Sequence, residues 1–164
     1  MDAADRAGGW RASLSVPWAV AACAMALFIW GNSLVPGDDS AGLSLAVLAA
    51  LRHALDACGL PSAWLTNFLV RKAAHFTEYA VLAVLVCNAL GARRGSLRRV
   101  IVPLALVLVL VPCVDEGIQL FVEGRSGQLS DVMLDCCGGA SGALLRCLLT
   151  KPNHSGLASN NRLT

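Results

Sequence analysis

The chain has 164 residues, of which 56% are hydrophobic and 15% are charged, with a formal net charge of +2. This balance is too apolar for a soluble domain and is typical of a polytopic membrane protein. It also argues against nucleic-acid binding, because the arginine clusters are short and no aromatic stacking residues are interleaved with them. The seven cysteines contain no C-x-x-C pair, so a disulfide stays open among Cys58, Cys113, Cys136 and Cys137.

The first apolar run, about Pro17 to Val35, predicts a helix long enough to span a membrane with little tilt. Arg6 and Arg11 precede it, as basic residues precede the apolar part of a signal peptide. The residues around Gly31 offer no good small-x-small cleavage site, so we expect an uncleaved spanning helix.

The next element is predicted over Ser40 to Leu60, after the turn-like stretch 36–39, with Ser40 as its N-cap. Polar Arg52, His53 and Asp56 interrupt its apolar spacing, which favours an amphipathic helix lying in the membrane interface. A fifth spanning helix is the alternative, but it would bury those three side chains. The apolar stripe consists of Leu43, Val47, Leu51, Leu55 and Cys58.

Pro61 predicts the start of a new helical stretch, with Trp64 as an interfacial anchor. The second spanning helix is expected over Arg71 to Leu90, polar in its first half and apolar in its second. The loop 92–99 that follows contains four arginines, which marks a cytoplasmic loop.

The third spanning helix is expected over Val100 to Gln119, although it contains Pro103 and Pro112. Proline is tolerated in a membrane helix when neighbours satisfy the freed carbonyl groups. The fourth spanning helix is expected over Asp131 to Leu149.

These elements predict an all-α integral membrane protein with four transmembrane helices plus one interfacial amphipathic helix. Basic residues at both ends and in loop 92–99 fall on one side, so both termini are predicted to be cytoplasmic in a multi-pass protein of the cell membrane. The expected organisation is a cytoplasmic segment 1–16, a transmembrane domain 17–149 and a disordered cytoplasmic tail 150–164.

Polar residues gather at the predicted outer ends of the spanning helices. Lys72, His75 and Glu78 are three residues apart and share one broad helical face, with Tyr79 beside them. Interfacial snorkelling explains Lys72 and Tyr79 but not Glu78, which lies two turns into the helix. Ionisable side chains at such positions are costly, so they indicate a functional site.

A second polar group ends the third helix, where Glu116 and Gln119 share a face and Asp115 points elsewhere. Arg125 follows in a loop flanked by glycines, which suits contact with a carboxylate or phosphate. A structural pair between Arg125 and Asp115 or Glu116 is the alternative.

A third polar group opens the fourth helix, where Ser130 is a candidate N-cap and Asp131 suits the helix dipole. Asp135 shares the face of Asp131, and Gly138 and Gly142 continue it as a G-x-x-x-G motif that permits close helix approach. The two aspartates should therefore point into the bundle, and the glycines also leave homodimerisation open.

In order and spacing, these motifs resemble the VanZ-like family over about residues 18–149. The resemblance implies a small multi-helix bacterial membrane protein; the name-giving member is an accessory factor in glycopeptide resistance, associated with teicoplanin rather than vancomycin. Two positions depart from the family pattern, Asp135 where Asn is frequent and Glu123 where Pro is common. The motif residues are Lys72, His75, Phe76, Glu78, Tyr79, Asp115, Glu116, Gln119, Phe121, Gly124, Arg125, Asp131, Asp135, Gly138 and Gly142.

Three functions compete. The favoured one is an envelope factor that binds a lipid-linked wall precursor, a lipoglycopeptide or another anionic amphiphile, and contributes to teicoplanin-type resistance. The alternative is a membrane-embedded enzyme acting on an envelope lipid or glycan, with His75 and Glu78 as its acid–base pair. A transporter fits less well, because charge is confined to one face.

The partners expected are the lipid bilayer, an envelope molecule and, as an open question, a second copy of the chain. The cofactor is unknown and no metal site is assigned, although Asp115, Glu116 and Asp131 offer oxygen ligands. Catalytic candidates are His75, Glu78 and Glu116. The ligand-binding candidates are Lys72, His75, Glu78, Tyr79, Asp115, Glu116, Gln119, Arg125, Asp131 and Asp135.

Overall fold

A computed structural model describes residues 14–91 and 97–149 of the chain, without the side chains of residues 97–99. Within these ranges α-helices are the only regular secondary structure. Three helices are long and apolar enough to cross a membrane: the first, residues Val100–Gln119 of the fourth, and the fifth. The five helices are α1 (Val16–Ser33), α2 (Gly37–Ala57), α3 (Asn67–Ala89), α4 (Leu97–Gln119) and α5 (Leu129–Leu149).

Helices α1, α3, α4 and α5 form an antiparallel bundle. The amide of Ser15, before α1, donates to the carbonyl of Ala89 at the end of α3, with a nitrogen–oxygen distance of 2.9 Å. Arg146, near the end of α5, donates to Asn88 at the same level. The start of α1 and the ends of α3 and α5 therefore lie together, and the polar residues gather at the opposite end.

The core lies where α1, α3 and α4 meet. Ile29, Tyr79 and Leu82 are completely or almost completely buried, and Val111 of α4 packs against them. The indole N–H of Trp30 donates to the carbonyl of Val111 across 3.2 Å. This contact fixes α1 against α4.

Helices α3 and α5 approach each other through two glycines, as the G-x-x-x-G motif predicts. Gly138 lies against the backbone of Phe76, and a Cβ added to Gly142 would lie 2.7 Å from the Cα and carbonyl carbon of Ala80. Carbon atoms pack best at about 3.5–4.0 Å, so only glycine fits. Because α3 of the same chain occupies this face, these glycines do not support a homodimer, which stays a prediction.

Pro112 lies inside α4 and lacks the amide that would bond to the carbonyl of Leu108. The thiol of Cys136 on α5 donates to that carbonyl instead, with a sulfur–oxygen distance of 3.1 Å. The expectation that a neighbouring helix satisfies the freed carbonyl is confirmed here. All seven cysteines are free thiols, so the disulfide that the sequence left open does not form.

Helix α2 begins earlier than the sequence suggested. It starts at Gly37 with Pro36 as N-cap, so Ser40 lies inside the helix and the predicted cap is wrong. Asp38 and Asp39 occupy the first turn, where negative charge complements the helix dipole. The polar stretch therefore starts the helix instead of forming a separate turn.

The buried side of α2 packs through Leu48, which forms a small cluster with Leu65 and with Val70 of α3. Arg52 donates to the carbonyl of Leu65 across 2.6 Å, which ties α2 to the segment before α3. Three residues of the predicted apolar stripe are exposed, with exposed fractions of 73%, 50% and 44% for Leu43, Val47 and Leu51, whereas Leu55 packs against the buried cluster.

Two other predicted helix starts are wrong. Residues 61–66 are not helical, and α3 begins at Asn67, where the hydroxyl of Thr66 accepts the amide of Leu69 at 3.2 Å. Proline at 61 therefore does not open the helix. Ser130 lies inside α5, which begins at Leu129, while Asp131 does occupy the first turn.

Several predictions fall outside the described residues. They concern Arg6, Arg11, Arg93, Arg94 and Lys151, the segment 1–13, and the tail 150–164.

Candidate functional site

A cavity of about 320 Å³ opens at the polar end of the bundle, between the first turns of α3 and α5 and the loop 120–128. Its walls combine cationic and acidic side chains from elements far apart in the sequence. Many of the predicted site residues are thus brought to one place. The charged and polar lining residues are Asn67, Arg71, Lys72, His75, Gln119, Arg125, Ser126, Gln128, Asp131 and Asp135.

Lys72 and Asp131 form an ion pair across the mouth of the cavity. The side chains of Lys72 and Asp131 are 24% and 19% exposed, so the ion pair is only partly buried. The ammonium group also lies 5.3 Å from the centre of the Phe68 ring, within the range of a cation–π contact. The pair joins the first turns of α3 and α5.

Arg125 lies in the loop between α4 and α5, but it does not pair with either acidic residue of α4. Its guanidinium donates to the carbonyls of Val35 and Asn32, each across 2.8 Å. This corrects the structural pair considered from the sequence. Partial burial lowers the pKa of Arg125, yet the ordinary value is so high that the group stays cationic.

Gly124 gives this loop its shape, because its φ of 72° is a conformation that favours glycine. A Cβ there would lie 3.3 Å from the Cα of Gly37 at the start of α2. The amide of Gly37 in turn donates to the carbonyl of Glu123 across 3.0 Å. The loop that carries Arg125 is thus bound to α2.

Glu116 of α4 binds the other end of the same loop. One carboxylate oxygen accepts the backbone amide of Gln128 at 2.8 Å, and the other accepts the Gln119 amide group at 3.3 Å. Gln119 also lies within 3.4 Å of the Ser33 hydroxyl and of an Asp115 oxygen. Both oxygens of Glu116 are therefore engaged in holding the structure.

His75 faces two buried carboxylates at the floor of the cavity. Its Nδ1 lies 3.9 Å from Asp115 Oδ2 and 3.9 Å from Asp135 Oδ1. Both aspartates are completely buried, while the His75 side chain keeps 24% of its exposure. One nitrogen and two oxygen atoms, the kinds of atom that bind metal ions, thus lie within 4.8 Å of one another.

Glu78 does not pair with His75. Its carboxylate accepts a hydrogen bond from the Asn32 side chain on α1 at 3.3 Å. The acid–base pair of His75 with Glu78 is therefore replaced by contacts of His75 with aspartates on two other helices. Tyr79 is completely buried in the core.

Sequence reasoning missed Arg71, which lines the cavity beside Lys72 and whose side chain makes no hydrogen bond or ion pair with another described residue. The signal was present, since two adjacent cations precede an apolar helical run. Asn32 and Ser33 were also missed, because their role depends on α1 ending beside α4.

Most of the chain, including the residues that line the cavity, matches a known protein family. The model of the VanZ/LLP1 family matches residues 18–150, which is most of the chain. Comparison with curated proteins and with solved structures gives no significant match.

Proposed function

The chain belongs to the VanZ/LLP1 family, and from this premise we propose that its polar end binds an anionic envelope amphiphile at the outer face of the cell membrane. The candidates are a lipid-linked wall precursor or a lipoglycopeptide, and such binding would contribute to teicoplanin-type resistance.

The proposal includes a topology. Helices α1, α3, α4 and α5 span the bilayer, α2 lies in its outer interface, and both termini are cytoplasmic. The antiparallel order of the four bundle helices supports it, as does the exposed apolar stripe of α2. The segments 1–16 and 150–164 then flank a transmembrane domain 17–149.

The main support for the proposal is the position of Arg71. This residue lines a cavity open to the end of the bundle, and its guanidinium has no hydrogen-bonding partner among the described residues. A planar guanidinium binds phosphate or carboxylate through two parallel hydrogen bonds. Lys72 and Arg125 add positive charge beside it, although contacts within the protein already engage both.

The anion would sit at the cavity and the hydrocarbon chain would lie along the bilayer. The exposed leucines and valines of α2 supply an apolar surface near the cavity, because α2 begins against the loop that carries Arg125. An amphiphile, with a charged head and an apolar tail, matches this combination of surfaces.

The alternative is an enzyme acting on such a molecule. His75 favours it, because an imidazole next to two buried carboxylates is the arrangement of a general base and the groups that orient it. In this version Asp115 and Asp135 take the role that the sequence assigned to Glu78.

The test is binding of a long-chain prenyl diphosphate and of the matching prenyl alcohol to the purified protein in nanodiscs. We expect preference for the diphosphate in the wild type and a loss of roughly 10-fold or more in Arg71→Gln. His53→Gln changes an exposed polar side chain of α2 outside the cavity and is the control. Equal binding of the two lipids, or equal loss in both variants, would contradict the proposal.

Resistance is tested separately in a sensitive Gram-positive host. Teicoplanin and vancomycin susceptibility are compared for wild type and Arg71→Gln at matched protein levels. Selective protection against teicoplanin that the variant loses would show that the cavity contributes to resistance. Protection that survives in Arg71→Gln would show that resistance does not depend on the cavity.

A further inference from the structure

We infer that His75, Asp115 and Asp135 form a binding site for one divalent transition-metal ion, of the Zn²⁺ or Mn²⁺ class, at the floor of the cavity. This site goes beyond the proposed function and does not depend on it, because the ion would bind whether or not the cavity receives an amphiphile.

The first argument is the state of the two carboxylates. Asp115 and Asp135 are completely buried, and Oδ1 of Asp115 and both oxygens of Asp135 receive no hydrogen bond from the residues that the structure describes. A buried carboxylate without compensation is strongly unfavourable, and one close to a second carboxylate is more so. The pair therefore needs either a bound proton or a positive group beside it.

The second argument is that no lysine or arginine of the cavity pairs with these aspartates. Lys72 pairs with Asp131, and Arg125 donates to two backbone carbonyls. Arg71 also lines the cavity, but like the other two it makes no ion pair with the buried aspartates among the described residues. A bound dication would supply the missing charge.

The third argument is geometry. The three ligand atoms lie within 4.8 Å of one another, and they come from α3, α4 and α5. Tetrahedral ligands at about 2.0–2.2 Å from a metal lie about 3.4 Å apart, so the atoms must approach one another by roughly 0.5 to 1.4 Å, which requires side-chain rotation. One imidazole with two carboxylates suits Zn²⁺ or Mn²⁺ better than Mg²⁺, which prefers oxygen ligands alone.

The site also resembles an accessible metal centre more than a closed one. Within the described part of the chain three side chains converge, which leaves coordination positions for water or another ligand. His75 and Asp135 both line the cavity, so the open positions face the space into which a ligand would enter.

The experiment measures metal content and thermal unfolding of the full chain in detergent, after chelation, reloading with Zn²⁺ or Mn²⁺, and dialysis. No lipid is present, so failure here is distinct from failure of amphiphile binding. We expect about one ion per wild-type chain and a higher Tm after loading. Asp135→Asn should lower metal affinity by roughly 100-fold and abolish the Tm shift.

Asp56→Asn removes an exposed carboxylate on α2 and serves as the control, which should load like the wild type. If Asp135→Asn fails to fold, His75→Gln changes the most exposed of the three residues and should show the same loss. Wild type that retains no ion overturns the inference. Retention that is equal in wild type and in the folded site variant also overturns it.

Discussion

The close contact of α3 with α5 makes Gly142→Ala the most informative stability test. The new methyl group would lie 2.7 Å from two backbone carbons of Ala80, about 1 Å inside the optimal separation. Since the clash is with backbone atoms, no side chain can rotate away and the two helices must separate.

The expected magnitude combines two opposed effects. Overpacking of this kind costs about 1–3 kcal/mol, and a backbone clash belongs at the upper end of that range. Alanine in place of glycine stabilises a helix by about 1 kcal/mol. The net expectation is a loss of about 2 kcal/mol in the free energy of unfolding.

The assay is reversible unfolding of the purified protein in mixed micelles, followed by circular dichroism as the denaturing detergent increases. Gly31→Ala is the matched control, because Gly31 lies in α1 and a Cβ there would meet no atom within 4 Å. It should gain up to about 1 kcal/mol from helix propensity. If Gly142→Ala stabilises the protein as Gly31→Ala does, the α3–α5 contact described above is refuted.

Three further predictions test other contacts. Cys136→Ala should cost about 1 kcal/mol in unfolding free energy, because it leaves a buried α4 carbonyl without a donor; the neighbouring, exposed Cys137→Ala should be neutral, and equal effects would contradict the hydrogen bond. A double-mutant cycle on Lys72→Ala and Asp131→Asn should give a coupling of about 1 kcal/mol in the same assay, whereas additive effects would show that the ion pair contributes nothing. With Cys58 as the sole remaining cysteine, a membrane-impermeant maleimide should label intact cells; labelling only after permeabilisation would reverse the proposed orientation.

Much of the fold could be predicted because apolar runs and charge placement are local signals. The four segments predicted to span correspond in position to α1, α3, α4 and α5, with ends displaced by a few residues, but α3 is not among the three helices that are long and apolar enough to cross a membrane. These displacements have local causes in the capping and first-turn residues, which the apolar runs do not indicate. Thr66 caps α3 earlier than the first charged residue suggested, and Asp38 belongs to the first turn of α2.

The polar residues could be identified, but their pairings could not. Glu78 and His75 share a helix face, yet each contacts other helices, because side-chain partners depend on how the helices pack. The contact of Gly138 with Phe76 sets the register of α5 against α3, and this register brings Asp135 to His75. No spacing within a single helix encodes that distance.

The hydrogen bonds between the start of α2 and the loop 120–128 couple the movements of these two parts. Gly37 donates to Glu123, while Arg125 donates back to Val35 and Asn32, so three hydrogen bonds cross between the two connections. Among these partners only Gly37 belongs to α2, so a tilt of α2 would act on the loop through the bond to Glu123. In the proposed topology, a displacement of the start of α2 in the membrane interface would therefore reach the loop that carries Arg125 and lines the cavity.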